Sequence, residues 1–367
     1  MASVTGEKIK ISVFGESHGE AIGVVIDGFP AGMKIDMDMV GSQMARRAPG
    51  GELSTARSEA DEPRIVSGVS DGYSNGYPIC AMIMNTNQRS SDYKNVKERL
   101  PRPSHADYPA MVKYGKSAEL RGGGHFSGRL TAPVVFAGAL CMQFLSCKYG
   151  IETAAHLRQI LNVTDTRFGA GVTASELREM RSREFPTIDR MTAEAFRTII
   201  GSAKGRGDSV GAVIECAMAS DCGIPVGVGE HMFDSVEAKI SSLMFGIPGV
   251  KGVEFGAGFD FCRMYGSEAN DAYEYRDGRV VTKTDNCGGV AGGMTTGMPV
   301  IFSVAMKPTP SIFVEQDTVD LNKKTDAKLT IKGRHDPCIA LRAVPVVESA
   351  AAIAMADLIL DSEGRKL

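Results

Sequence analysis

A long apolar stretch of the chain runs from Leu130 to Cys147 and contains no Asp, Glu, Lys or Arg. Pro133 lies near its start and Gly150 follows its end, which is the arrangement expected of an α-helix. A helix that is apolar on every side has to be buried, so the stretch predicts a central core helix. A transmembrane helix is the alternative that its length raises, but Thr, Pro, Gly and Gln occur within it.

Short alternating or continuously apolar runs predict strands in both halves of the chain, at residues 8–14, 22–26, 64–69, 79–85 and 300–305. Asp277-Gly278 predicts a hairpin, and Asp234 with Glu237 predicts a helix start of capping-box type. A further helix is predicted to end near Arg46 and Arg47. Together these elements predict an α+β fold, a β-α-β sandwich in which antiparallel sheets cover central helices.

Segments of the first half recur in the same order in the second half. Residues 19–26 (GEAIGVVI) resemble residues 207–214 (GDSVGAVI). Residues 129–135 (RLTAPVV) resemble residues 342–347 (RAVPVV), and both of these segments stand at the head of a long apolar helix. The repeat predicts one domain over residues 1–367, built from two pseudo-twofold halves at about 1–150 and 200–362. Chance similarity between short segments is the alternative.

Charge and cysteine usage narrow the class of protein. A formal net charge of -3 argues against a partner that is bound through bulk positive charge, such as nucleic acid or an anionic membrane. The eight cysteines stand singly, without a C-x-x-C pair, and predict reduced core residues rather than disulfides or a metal site. Residues 1–10 contain no apolar signal core, so we expect a cytoplasmic protein with no membrane anchor.

Residues 121–129 (RGGGHFSGR) lead directly into the predicted central helix. Three consecutive glycines let a flat or phosphorylated ligand approach the backbone N–H groups, and the positive end of the helix dipole faces the same loop. The pattern therefore predicts an anion site. An ordinary tight turn before a core helix is the alternative.

Two histidines stand in settings that suit proton transfer. Ser17 and His18 lie between glycines at a strand end, although a surface turn with an incidental histidine would show the same pattern. His105 follows Pro103 and has Asp107 two residues on to orient or charge it, which makes it a better general-acid candidate than His156 or His231.

Cationic loops supply the remaining candidate sites. Residues 46–64 are basic and loop-like and suit an arm over an anionic ligand, with a solvated charge run as the alternative. Residues 307–311 (KPTPS) form a stiff hydroxyl-bearing loop with one cation, suitable for a phosphate group. Residues 332–337 (KGRHDP) place two cations, an imidazole and a carboxylate together.

The chain resembles the chorismate synthase family in seven stretches that span nearly its whole length. They are GESHG at 15–19, RRAPG at 46–50, STARSEADEPRI at 54–65, RPSHADY at 102–108, RGGG at 121–124, KPTPS at 307–311 and KGRHDPC at 332–338. The resemblance implies a homotetramer that converts 5-enolpyruvylshikimate 3-phosphate into chorismate and phosphate. It also implies a requirement for reduced FMN, although the reaction has no net redox change.

The resemblance implies a role for each matching residue. His18 would protonate the departing phosphate, His105 would hold the reduced flavin in its required protonation state, and Ser17 and Ser127 would relay protons. Asp336 would lie near the flavin nitrogen that receives the substrate hydrogen. The residues expected to bind substrate or NADP are Arg46, Arg47 and Arg129, and Arg334 would join Arg47 and Arg129 in neutralising phosphate and carboxylate groups. FMN would contact His125, Phe126, Ser127, Gly292, Lys307, Pro308, Thr309, Pro310, Ser311 and Arg334.

The chain departs from the family pattern at two places. HFSGRLT replaces the RSSARET that many relatives have after the three glycines, and Gly51-Glu52-Leu53 lacks a basic residue that many relatives place there. Because NADPH binding needs cations and no G-x-G-x-x-G stands between a strand and a helix, we expect NADPH to act only as an indirect reductant. Rival functions are an FMN-dependent oxidoreductase and a non-enzymatic phospholigand-binding protein.

Overall fold

The computed structural model describes residues 3–50, 53–54, 61–85, 99–331 and 335–364. Two long helices, Thr131–Tyr149 and Ala340–Glu363, pack against each other and are called the first and second central helices below. Gly138 permits their close approach, since a Cβ added there would lie 2.2 Å from the Cβ of Ser349. The predicted buried helix is confirmed, and Gly150 ends it in the left-handed conformation, with a φ of 61°.

Both central helices are long and apolar enough to cross a membrane by length and composition alone. In the most apolar 18-residue stretch of each segment, the buried share is 78% for Arg121–Tyr149 and 94% for Ala340–Glu363. Protein therefore surrounds the helices, which explains why neither has a polar face.

Two antiparallel five-stranded sheets enclose the central helices. In spatial order, the first sheet comprises Val4–Thr5, Lys10–Gly15, Ala21–Asp27, Ile79–Met84 and Arg64–Ser67. The second sheet comprises Val250–Phe255, Val300–Met306, Ala212–Ala219, Glu152–Ile160 and Val163–Thr164. The predicted α+β sandwich of antiparallel sheets around central helices is confirmed, and the five predicted strands agree closely with those observed.

Shorter elements complete the described chain. The other helices are Met37–Arg47, Asp107–Tyr114, Ala174–Ser182, Arg190–Gly205, Val236–Gly246 and Gly266–Ala269. Two-stranded pairs join Val69–Ser70 to Tyr73–Ser74, Tyr273–Arg276 to Arg279–Thr282, Val290–Ala291 to Met294–Thr295, and Gln316–Asp320 to Thr325–Leu329. The hairpin predicted at Asp277-Gly278 is the second of these pairs, and the helix predicted to end near Arg47 is Met37–Arg47.

The matched segments of the two halves occupy corresponding places. The first match includes most of strand Ala21–Asp27 and the first three residues of strand Ala212–Ala219, and each of these is the middle strand of a five-stranded sheet. The second match covers the N-terminal ends of the two central helices. This is the placement that a pseudo-twofold duplication requires, and the duplication itself stays a prediction.

Two expectations need correction. Helix Val236–Gly246 is capped by Ser235, whose hydroxyl accepts from the Ala238 N–H at 3.0 Å, whereas Asp234 forms an ion pair with Lys239. All eight cysteines lie in the described part of the chain and are unpaired, but only some are core residues: Cys147, Cys222 and Cys262 are exposed. The residues around each cysteine follow no strong hydrophobic pattern, so the sequence did not distinguish the buried cysteines from the exposed ones.

Candidate active site

A cavity of about 1160 Å³ opens at the N-terminal ends of both central helices. Its polar lining includes Arg47, Arg102, His105, His125, Ser127, Arg129, Lys251, Lys307, Thr309, Ser311, His335, Asp336 and Arg342. Its apolar lining includes Val13, Val134, Leu243, Ile247, Ile339, Val346 and Ile353. A pocket with one apolar wall and converging cations suits a ligand that is partly flat and partly anionic.

Residues 121–129, called the glycine loop below, form one side of the cavity. Gly122, Gly123 and Gly124 have φ values of 60°, 90° and 54°, in the left-handed region that L side chains rarely adopt. A Cβ on Gly122 would lie 2.2 Å from the Cε1 atom of His18, and one on Gly124 would lie 2.0 Å from the Glu119 carbonyl oxygen. The glycines are therefore needed for the backbone to lie directly against His18.

Ser17 and His18 lie behind this loop. The Ser17 hydroxyl is 3.1 Å from His18 Nδ1 and donates to the Arg121 carbonyl oxygen at 3.2 Å. Because the single hydroxyl hydrogen is used on Arg121, the His18 Nδ1–H is the donor to Ser17. His18 is buried, and neither residue is among those that line the cavity, although the neighbouring Glu16 lines it.

His105 is held by a charged network. Its Nδ1 lies 2.8 Å from Asp107, and Arg102 donates to the same carboxylate from Nε and Nη2 at 2.7 Å each. Burial raises the pKa of the Asp107 carboxyl, but Arg102 and His105 outweigh burial and hold that pKa well below its usual range. The His105 Nδ1–H therefore points to a permanent carboxylate, while Nε2 lies 3.6 Å from the position of a Cβ on Gly123.

Arg47 and Arg129 form an arginine pair at the cavity wall. Both donate to Asp61, whose side chain is 1% exposed. Arg47 also donates from Nε to the Thr131 hydroxyl at 3.0 Å, and Arg129 from Nε to the Asn85 side-chain oxygen at 3.1 Å. Asp61 therefore offsets part of the repulsion between these two buried cations.

Arg46, which was expected beside Arg47 in the substrate or NADP site, does not line the cavity. Its Nη2 donates at 2.9 Å to Glu348, a fully buried residue of the second central helix. Glu348 also accepts from the Ala155 N–H at 2.9 Å. Consecutive helical residues point in different directions, so one arginine reaches the cavity while its neighbour joins a core network.

The predicted flavin-contact residues are mostly brought together. Residues 307–311 and 125–127 line the cavity, and Arg102 Nη1 links them to the His105 network by donating to the Ser311 hydroxyl at 3.3 Å. His125 contacts the Gly15 carbonyl oxygen at 2.9 Å and Ser3 at 3.0 Å. Gly292 is not part of the lining but lies in the turn between Val290–Ala291 and Met294–Thr295, and Arg334 lies outside the described residues.

Asp336 lines the cavity beside a cation that sequence reasoning missed. Arg342 donates from Nη1 to Asp336 at 2.7 Å and from Nε to the Arg47 carbonyl oxygen at 3.0 Å. Arg342 is the repeat counterpart of Arg129, and that match was the signal that could have identified it. Asp61 lies within the matched stretch at 54–65, but no role was assigned to it, because its partners Arg47 and Arg129 lie 14 and 68 residues away in the sequence.

Among the described residues, no group of three or more His, Cys, Asp or Glu is arranged to hold a metal ion. Most of the polar groups that line the cavity are instead guanidinium, ammonium, imidazole and hydroxyl groups, with the carboxylates of Glu16, Glu119 and Asp336 among them. Such a set binds phosphate and carboxylate groups and donates protons to them.

Comparison with known proteins agrees with this geometry. The family model for chorismate synthase matches residues 9–360. A chorismate synthase of Pyrococcus abyssi is 44% identical over 356 residues, covering 97% of each chain, and that of Lancefieldella parvula is 41% identical over 369 residues, covering 97% of this chain and 96% of the relative. A crystal structure of chorismate synthase superposes with a TM-score of 0.75 at 25% identity, covering 98% of this chain and 94% of that one. The chain therefore belongs to the chorismate synthase family.

Proposed function

We propose that this chain converts 5-enolpyruvylshikimate 3-phosphate into chorismate and phosphate, with reduced FMN as cofactor. The observation that carries the proposal is the convergence of His18 and His105 on the glycine loop, beside a cavity whose wall holds Arg47 and Arg129. Membership of the family supports the same conclusion.

The reaction makes two demands that the site meets. A trans-1,4-elimination breaks one C–O bond to phosphate and one C–H bond, and it forms a new double bond. The substrate carries a phosphate and two carboxylates, so cations have to hold it and offset the charge that develops on the departing phosphate. Arg47, Arg129 and Arg342 are placed at the cavity wall for that purpose.

The two histidines have different settings and therefore different proposed roles. Ser17 fixes the orientation of the His18 ring through Nδ1, and His18 then delivers a proton to the departing phosphate. Asp107 fixes the His105 ring with Nε2 toward the glycine loop, where it acts on the flavin. Ser127, whose hydroxyl accepts from the Arg129 N–H at 3.2 Å, relays protons between the loop and the cavity.

The residues of the cavity fit FMN. Thr309 Oγ1 is buried with no hydrogen-bond partner among the described residues, and Lys307 lies two positions before it. The volume of about 1160 Å³ exceeds the roughly 300–1,000 Å³ of a site for one small ligand, which leaves room for cofactor and substrate together. When bound, reduced FMN supplies an electron-rich ring that assists C–O cleavage. Residues 125–127 and 307–311 would hold it, and Asp336, positioned by Arg342, would lie beside it.

The same proposal includes the cellular setting. We propose a homotetramer that acts in the cytoplasm, without nucleic acid or membrane as partner. The eight unpaired cysteines fit a reducing compartment.

An anaerobic assay with two sources of electrons tests the proposal. With substrate and chemically reduced FMN, we expect chorismate and phosphate to form in equal amounts. With oxidised FMN and NADPH but no other reductant, we expect neither, because the chain is predicted to depend on an outside source of reduced FMN.

The outcomes separate the rival functions. Oxidation of NADPH without chorismate would favour an oxidoreductase, and tight ligand binding without either product would favour a phospholigand-binding protein. Sustained chorismate formation with NADPH alone would leave the activity standing and overturn the expected dependence on an external reductant.

A further inference from the structure

Lys251 is the extra residue of a β-bulge. In the second sheet Val250 pairs with Met306 and Gly252 with Ala305, so Lys251 has no partner residue of its own on the adjacent strand. A bulge changes the direction of a side chain, and bulges are frequent next to active sites. Here the bulged residue lines the cavity, although no sequence motif includes it.

A second cation lies next to Lys251. The Lys307 N–H donates to the Gly249 carbonyl oxygen at 2.9 Å, which ties the start of residues 307–311 to the bulged strand. Burial lowers the pKa of Lys307, and the nearby charge of Lys251 lowers it further, so the two ammonium groups repel each other.

In the part of the chain that the structure describes, no carboxylate forms an ion pair with Lys251 or Lys307 to offset this repulsion. Glu254, the acid on the same strand, is bound to Arg158 at 3.1 Å. Two adjacent cations with no acid between them are destabilising unless an anionic ligand binds.

The third component is Thr309, which lines the same cavity. Its Oγ1 is buried without a hydrogen-bond partner among the described residues, which costs free energy unless a ligand supplies the partner. A phosphate oxygen would accept from this hydroxyl and from ammonium groups alike.

We infer that Lys251, Lys307 and Thr309 form a subsite for a phosphate monoester dianion, with Lys251 as a ligand-binding residue that the bulge directs into the cavity. The inference rests on the proposed function for the identity of the two phosphates available, that of FMN and that of the substrate. FMN is the first to test, because residues 307–311 belong to its proposed site.

The test compares Lys251→Gln with Lys283→Gln, which removes the same charge from an exposed position outside the cavity lining. Each variant and the wild type are titrated with FMN and with riboflavin, which lacks the phosphate, and the flavin fluorescence is followed. We expect Lys251→Gln to weaken FMN binding about tenfold, as for one lost charge-assisted hydrogen bond, and to leave riboflavin binding unchanged. Lys283→Gln should change neither.

A second titration distinguishes the two sources of phosphate. If Lys251→Gln leaves both flavins unaffected but weakens substrate binding at saturating FMN, the subsite holds the substrate phosphate. Equal weakening of FMN and riboflavin, or no difference from Lys283→Gln in any titration, would overturn the inference. The ratio of FMN affinity to riboflavin affinity is measured without catalysis. The result of this binding test is therefore independent of the wild-type turnover assay, which tests the proposed function.

Discussion

At the scale of single residues, His105 and His18 are oriented by partners of different strength. His105 donates to a carboxylate that Arg102 keeps ionised, whereas His18 donates to a neutral hydroxyl. A histidine that donates to an ionised carboxylate keeps its ring orientation when the site is empty. The protein itself therefore fixes the ring of His105.

Replacement of either histidine tests these roles. We expect His18→Ala and His105→Ala each to lower turnover by roughly 10²-fold to 10⁴-fold, the range for a lost general acid, with the fold intact. His231→Ala is the matched control, because that side chain is 80% exposed and outside the cavity lining. Near-wild-type turnover in His18→Ala, measured with chemically reduced FMN, would remove it from the proposed mechanism.

His156 illustrates a histidine with a structural role. It is fully buried between Asp165 and Glu215, each at 3.1 Å, and Arg167 and Phe168 lie beside the same group. Burial lowers the pKa of His156, but the hydrogen bonds to both carboxylates outweigh burial and raise it. His156 therefore links residues 165–168 to the second sheet.

The direction of this pKa shift predicts how stability depends on pH. A raised pKa in the folded protein means that the protonated form contributes stability below about pH 6.5, and that the contribution is lost as pH rises through the folded pKa. We expect His156→Gln to lower stability by about 3 kcal/mol at pH 6 and by less at pH 9, since the variant removes the cation between two buried carboxylates, while Arg167 pairs with Glu215 at 3.7 Å. Melting temperatures at the two pH values measure this. A deficit that grows with pH would contradict the assignment.

At the scale of elements, the packing of the central helices depends on the absence of one Cβ. Gly138 faces Ser349, whose hydroxyl donates to the Pro345 carbonyl oxygen at 2.7 Å at the proline position of the second central helix. Both helices contribute their N-terminal ends to the cavity. Their separation therefore sets the width of the site.

Alanine replacements at two helical glycines test this packing. Gly138→Ala should destabilise the protein by about 2 kcal/mol, because the new methyl group would overlap Ser349. Gly41→Ala, in helix Met37–Arg47 where nothing lies within 4 Å of the added Cβ, should stabilise it by about 0.5–1 kcal/mol. Thermal denaturation followed by circular dichroism compares them. Equal melting temperatures would show that the helices do not approach closely at Gly138.

At the scale of the whole molecule, large aromatic side chains stand exposed on the second half of the chain. Phe233, Phe259, Tyr265 and Tyr275 are each at least 80% exposed. Exposed aromatic surface of this kind marks sites of association. It supports the proposed assembly of several copies of the chain.

The proposed homotetramer predicts the molecular mass of the protein in solution. Light scattering at micromolar concentration should give four times the 39.1 kDa of the chain. Each copy in a closed tetramer can cover exposed aromatic surface of another copy, so the mass should hold on dilution within that range. A monomer would refute the prediction, and a dimer would require a different symmetry.

The sequence by itself determined the elements and the short-range contacts of this protein. Apolar runs and alternation act over a few residues, so they predicted the central helix over residues 130–147, four strands of the first sheet and strand Val300–Met306 of the second. Asp107 could be assigned to His105 because the two are separated by one residue. The tight backbone of the glycine loop was also predictable from its three consecutive glycines. Glycine readily adopts φ values such as the 60° and 90° observed there, whereas residues with a Cβ rarely do.

Only the tertiary structure decided which charged groups share the cavity. Arg46 and Arg47 are adjacent in sequence, yet one binds Glu348 in the core and the other binds Asp61 at the cavity wall. Lys251 reaches the cavity because one bulge shifts the pairing of its strand. Such partners come from elements far apart in the chain, and their distances depend on how helices and sheets pack, which no local pattern of residues encodes.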